Sequence, residues 1–149
     1  MLGPLNESHV LEDGRILSFA EGSRYQGRRW FQLAAHRICF DHGFTLSIYH
    51  TPQIITPNGS CPRLGRFTLA CSQNSPKCPF RIKLNFTLDE WGRSDEDVEY
   101  VVAGFVNSHN HGPFENSTIY RAPKITGKRF WPKVDGKGDR EGKDVSPEL

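Results

Sequence analysis

The sequence predicts an α+β fold, a small four- to five-stranded antiparallel sheet with one N-terminal helix. Three observations lead there. An apolar stripe of helical period runs from Trp30 to Cys39, several short segments after it alternate apolar and polar residues, and two cysteines and two histidines sit at the ends of those segments.

The helix comes first. Trp30, Phe31, Ala34, Ala35, Ile38 and Cys39 recur at i, i+1, i+4, i+5, i+8 and i+9, the stripe of an amphipathic helix, and Gly43 after Asp41-His42 is a natural C-terminal stop. Cys39 lies on that stripe and reads as a small core residue. Phe44 to His50 then alternates strictly, which turns Phe44, Leu46 and Ile48 inward and Thr45, Ser47 and Tyr49 outward. Thr51-Pro52 is expected to break this strand, and 57–62 to form a loop in which Cys61 is a free cysteine.

Three more strands follow. Arg66 to Cys71 buries Phe67 and Leu69; Cys78 to Phe86 buries Phe80, Ile82, Leu84 and Phe86 and turns Arg81, Lys83 and Asn85 the other way. Asp89 to Asp97 is an acidic turn, and Val98 to Val106, apolar on nearly both faces, suits a strand with cover on each side. The domain is expected over 27–113. Residues 1–26 read as a flexible leader and 114–149 as a basic, mostly disordered tail, because neither sustains a period and both are rich in Gly and charge.

The chemistry lies between Cys71 and His111. Cys71 and Cys78 flank a turn-forming Ser72 to Lys77, which places both thiols at a hairpin mouth, and in an extended strand His109 and His111 point the same way while Asn110 faces away. Two thiolates and two imidazoles are a complete tetrahedral set for a structural zinc ion. A disulfide between Cys71 and Cys78 also suits a hairpin mouth, but it leaves the paired histidines without a role. Catalytic zinc sites keep three protein ligands and an open position, and no paired carboxylates stand beside this cluster, so the chain is not expected to be an enzyme or to take a small-molecule substrate.

Charge points to the partner. The net of +2 hides an acidic start, with Glu7, Glu12, Asp13 and Glu21 against Arg15, and a basic stretch from Arg121 to Lys143 with eight Lys and Arg against three acids. A tail of that kind favours a polyanion. No stretch approaches the eighteen apolar residues of a membrane span, and no signal-peptide pattern opens the chain, so the expected place is inside the cell, in the nucleus. Four glycosylation acceptors, at Asn6, Asn58, Asn85 and Asn116, keep open a secreted, disulfide-bonded alternative.

The order of helix, Gly43-Phe44 opening a strand, a strand into Cys71, Cys78 opening another, and a last strand into His109-Asn110-His111-Gly112 resembles the WRKY–GCM zinc-finger superfamily. Within it the likeness is to the far-red-impaired-response type DNA-binding domain of plant regulators, Mutator-like transposases and fungal Aft-like regulators, over about residues 25–113. The resemblance implies a structural zinc on Cys71, Cys78, His109 and His111, and a sheet edge, here Phe44 to His50, entered into the DNA major groove. The strand lacks a Trp-Arg-Lys-Tyr run and any Arg or Lys, and the six residues between the cysteines exceed the plant WRKY gap.

The expected function is therefore sequence-specific binding of double-stranded DNA, as a transcription regulator or a transposase-derived DNA-binding domain, with other transcription proteins as further partners. Thr45, Ser47, Tyr49 and His50 are the candidate readers of bases or phosphates, and Arg63, Arg66, Arg81 and Lys83 the candidate phosphate contacts, with Arg28, Arg29, Lys128 and Arg129 behind them. The alternative is a transposon-derived zinc-finger module that binds proteins and has lost DNA binding, which the absence of cations in the reader strand favours. Steep salt dependence separates the two, because phosphate contacts produce it.

Overall fold

A computed structural model describes residues 2–57, 59, 63–73, 77–87, 95–115 and 117–123, with only the backbone described at 50–52 and 95. The element order is β1 (Ser8–Val10), β2 (Ile16–Ser18), β3 (Arg24–Gln26), α1 (Arg28–His42), β4 (Leu46–Ile54), β5 (Leu64–Cys71), β6 (Arg81–Thr87) and β7 (Glu99–Val106). The fold is α+β. β1 and β2 form a separate hairpin, and the main sheet has five antiparallel strands in the order β3-β7-β6-β5-β4.

One face of this sheet holds the core. Phe67 and Leu69 from β5, Ile82, Leu84 and Phe86 from β6, and Tyr100 and Val102 from β7 are buried there together with Phe31, Ala35 and Cys39 of α1. Of the stripe read from the sequence, Phe31, Ala35 and Cys39 are buried and Trp30, Ala34 and Ile38 half-buried against the core, while Arg28 and Gln32 are buried as well. Gly43 ends α1 at φ 119°, with its N–H on the Cys39 and Phe40 carbonyls. A side chain is excluded there twice over, since that backbone region penalises a Cβ and a Cβ would also stand 2.9 Å from Cβ of Pro113.

The leader is built into the fold, contrary to its expected flexibility. Leu5, Leu17 and Phe19 are buried in the core, Phe19 packs edge-on against Phe31, and β3 pairs with β7 along Arg24 to Gln26. Three-residue strands are too short to show a period, and this is why the sequence hides them. Asn107, just after β7, binds both the N–H and the carbonyl of Leu5, at 2.9 and 2.7 Å, and fastens the leader to the segment that leads to His109.

Further expectations fail along the chain. The strand after Gly43 does not break at Thr51-Pro52 but runs to Ile54, its register shifting between Ile48 and His50 and again between His50 and Gln53. An edge strand tolerates proline, and bulges absorb it. Ile48, in regular register opposite the buried Leu69, is nonetheless 43% exposed on the edge strand rather than inward. β6 begins at Arg81 rather than Cys78, and the covered strand β7 is only half-buried at Val101 and Ala103. Cys61, Lys128, Arg129, Asn58, Asn116, most of the acidic turn and most of the basic tail lie outside the described residues.

Candidate metal centre and the open sheet face

Four side chains converge at the end of the sheet where β5 stops and the chain leaves β7. The ligand atoms of Cys71, Cys78, His109 and His111 all lie within 4.8 Å of one another, with the first three residues buried and His111 half-buried. Cys71 Sγ is 3.3 Å from His111 Nε2 and Cys78 Sγ is 3.2 Å from His109 Nδ1. The edges of a tetrahedron with metal–sulfur and metal–nitrogen bonds of ordinary length measure roughly 3.4–3.8 Å, so these separations suit a metal site. Cys71, Cys78 and Cys39 are free thiols.

The surroundings hold the imidazoles in place. His109 stacks on Phe80, with centroids 4.8 Å apart and planes 13° from parallel, and lies 4.3 Å from the Phe44 ring. Phe44, the residue after the helix stop, is thereby a wall of the site. His111 places Nδ1 2.7 Å from the Gly112 carbonyl, which fixes the proton on Nδ1 and leaves Nε2 as the ligating lone pair facing Cys71.

His109 provides the test of fit. Its Nε2 is buried with no hydrogen-bond partner among the described residues, while Nδ1 faces a thiol. Nδ1 is thus the nitrogen turned to the cluster, and its lone pair is available to a cation there. Burial, followed by the neighbouring His111 and His42, pulls its pKa down to about 4, so the ring is neutral and able to ligate at ordinary pH. Burial also pushes the Cys71 thiol up to about 11, which means that without a cation it keeps its proton. The residues present fit a metal ion held by two thiolates and two imidazoles.

Sequence reasoning missed two residues here. Asn110, expected to face away, donates from Nδ2 to the Lys77 carbonyl at 2.8 Å and ties the histidine segment to the cysteine loop. Lys77 itself turns its ammonium onto Tyr49. Neither contact follows from spacing, because each depends on how the loop before Cys78 meets other strands.

The face of the sheet opposite the core collects most of the candidate DNA contacts. Pairing sets Ser47, Ala70, Arg81 and Val106 in one cross-strand row, the positions of His50, Thr68, Lys83 and Gly104 in the next, and Gln53, Arg66, Asn85, Val101 and Arg24 in a third. Ser47 and Thr45 are exposed, as is Arg63 just before β5; Arg66, Arg81 and Lys83 are half-buried. Arg66 donates to Asn85 Oδ1 at 2.9 Å, and Arg81 donates to the Cys78 and Phe80 carbonyls at 2.7 and 2.8 Å. For His50 the register position alone is described.

Two assignments change. Arg28, counted as a backing cation, is 5% exposed, with its guanidinium 5.8 Å from the Phe67 ring centre inside the helix–sheet contact, so phosphate cannot reach it. Tyr49 is half-buried against Arg81 and Lys77 rather than projecting freely, and hydrogen bonding from Lys77, then Arg81, lowers its phenol pKa. No helix among the described residues is long and apolar enough to cross a membrane. No family model, no curated protein and no solved structure matches the chain.

Proposed function

We propose that the chain is a sequence-specific binder of double-stranded DNA whose sheet is closed at one end by a structural zinc ion, acting in the nucleus as a transcription regulator or transposase-derived DNA-binding domain. The observation that carries this reading is the row pattern of the open face: Arg66, Arg81 and Lys83 stand on adjacent rows beside the exposed Ser47 of the edge strand. Cations beside a strand edge serve two needs of a duplex reader, phosphate attraction and entry of a narrow element into the major groove.

Zinc is the metal this donor set favours, since two thiolates and two imidazoles in a tetrahedral array suit it and a full set of four leaves no open position for catalysis. When bound, the ion supplies cross-linking between the β5–β6 loop and the segment after β7, which is folding energy rather than chemistry on a substrate. The protein's own part is to wall the site with Phe44 and Phe80 and to align His111 through Gly112.

Selection from a random duplex pool with zinc-loaded protein tests the reading. An enriched motif whose binding weakens steeply with salt is the expected result; folded, zinc-loaded protein that enriches nothing at low salt contradicts it. A protein-binding module is the second reading, favoured by the edge strand, where Ile48 stands 43% exposed and no Arg or Lys occurs.

A further inference from the structure

Beside the metal ligands, a cavity of about 380 Å³ is lined by Ser47, Tyr49, Gln73, Lys77 and Arg81, together with Ile48, Ala70 and the two cysteines. Among the described residues its lining holds two cations and no carboxylate. Both cations lie against one ring: the Arg81 guanidinium carbon is 4.0 Å and the Lys77 ammonium nitrogen 4.7 Å from the Tyr49 centroid, and Lys77 also bonds the phenol oxygen. The ring attracts each of them, yet it leaves both charges without a counter-anion among the described residues of the cavity.

Neither cation is placed by chance. Arg81 is anchored through its bonds to the Cys78 and Phe80 carbonyls, and Lys77 precedes a metal ligand and has its carbonyl held by Asn110. The Ser47 hydroxyl and the Gln73 amide line the same cavity and are suited to the neutral hydrogen bonds of an oxyanion. We infer that Lys77, Arg81 and Tyr49, with Ser47 and Gln73, form a phosphate subsite next to the metal centre, and that its ligand is a backbone phosphodiester of nucleic acid. The inference rests on the DNA-binding reading and refines it in one respect. Tyr49 becomes the platform that positions two cations on a phosphate, rather than a reader of base edges, and Lys77 joins the contact set.

The test uses zinc-loaded protein, wild type and Lys77→Ala, with zinc content and circular dichroism to establish that the variant is folded; Lys77 is exposed, and Lys77→Gln serves as a second variant if Ala disturbs the loop. Affinity for duplex DNA is measured across a salt series, and inorganic phosphate is titrated separately while the amide signals of Gln73 and Lys77 and the Arg81 side-chain N–H are followed by NMR. The expected result is a salt slope shallower by about 0.9 in the variant, with selected and random duplexes weakened equally. Where wild type binds duplex and the folded variant keeps the wild-type slope, the subsite is overturned and the DNA reading stands. Where wild type binds no duplex, the phosphate titration decides: saturable shifts lost in Lys77→Ala make the cavity a free-phosphate site and sink the DNA reading alone, and no saturable shift overturns the subsite as well.

Discussion

Asn110 Nδ2 donates to the Lys77 carbonyl at 2.8 Å, so the residue between His109 and His111 holds the residue just before Cys78. Cys78 and His109 are 31 residues apart in sequence, and this bond sets the spacing of their loops independently of any ion. A site held from outside in this way pays less ordering entropy when metal binds.

Asn110→Ala should therefore lower metal affinity by about 10–100-fold, the usual effect of losing a partner outside the ligand set. Competition with a chromophoric chelator measures it. Unchanged affinity would mean that the four ligands position themselves.

Phe44→Ala should destabilise the metal-loaded protein by about 3–5 kcal/mol, because Phe44 is 2% exposed and packs on both Phe80 and His109. Urea unfolding at fixed zinc reads the change. Gly43→Ala should also be costly despite adding one methyl, since strain at φ 119° and the clash with Pro113 both oppose it. A loss well under 1 kcal/mol in either variant would show that the helix stop does not set the wall of the site.

Acid should release the metal and the fold together. The folded pKa of His109, about 4, lies below the usual 6.5, so the folded state binds fewer protons than the unfolded one between those values. Its contribution to stability is present above about pH 6.5 and lost as pH falls towards 4. Ligation also displaces two thiol protons, so metal affinity should fall about 100-fold per pH unit below the thiol range, and more steeply once the imidazoles protonate. Metal content and β-sheet circular dichroism across a pH series check this. Metal retained at about pH 4 would contradict a set containing two cysteines and two histidines.

Arg81→Ala combined with Lys83→Ala should weaken all duplexes about equally and flatten the salt slope by roughly 2 units. Thr45→Ala, by contrast, should lower preference for a selected site by about 1–3 kcal/mol and leave nonspecific affinity nearly intact. An unchanged slope in the first variant would turn the open face away from DNA.

The helix, its stop at Gly43, the convergence of Cys71, Cys78, His109 and His111, and the inward residues of β5 and β6 were legible because each rests on local periodicity or on residue chemistry. The failures share a cause. The burial of Leu17 and Phe19 belongs to strands of three residues, the run of β4 past Pro52 depends on bulges against β5, and the burial of Arg28 depends on an aromatic ring 39 residues away. Ile48 obeys a perfect alternation in sequence and is still 43% exposed, since an edge strand has no neighbour to cover it. Asn110 and Lys77 carry no signal of their own, being ordinary polar residues until two loops meet.

The central claim is that Cys71, Cys78, His109 and His111 hold one ion that completes the fold. Elemental analysis of purified protein tests it most directly, run on wild type, Cys78→Ser and Cys61→Ser. The account predicts one zinc per chain in wild type and in Cys61→Ser, and in Cys78→Ser loss of the metal together with loss of β-sheet signal. Metal-free wild type that keeps its sheet, or zinc that departs with Cys61 and stays without Cys78, would contradict it.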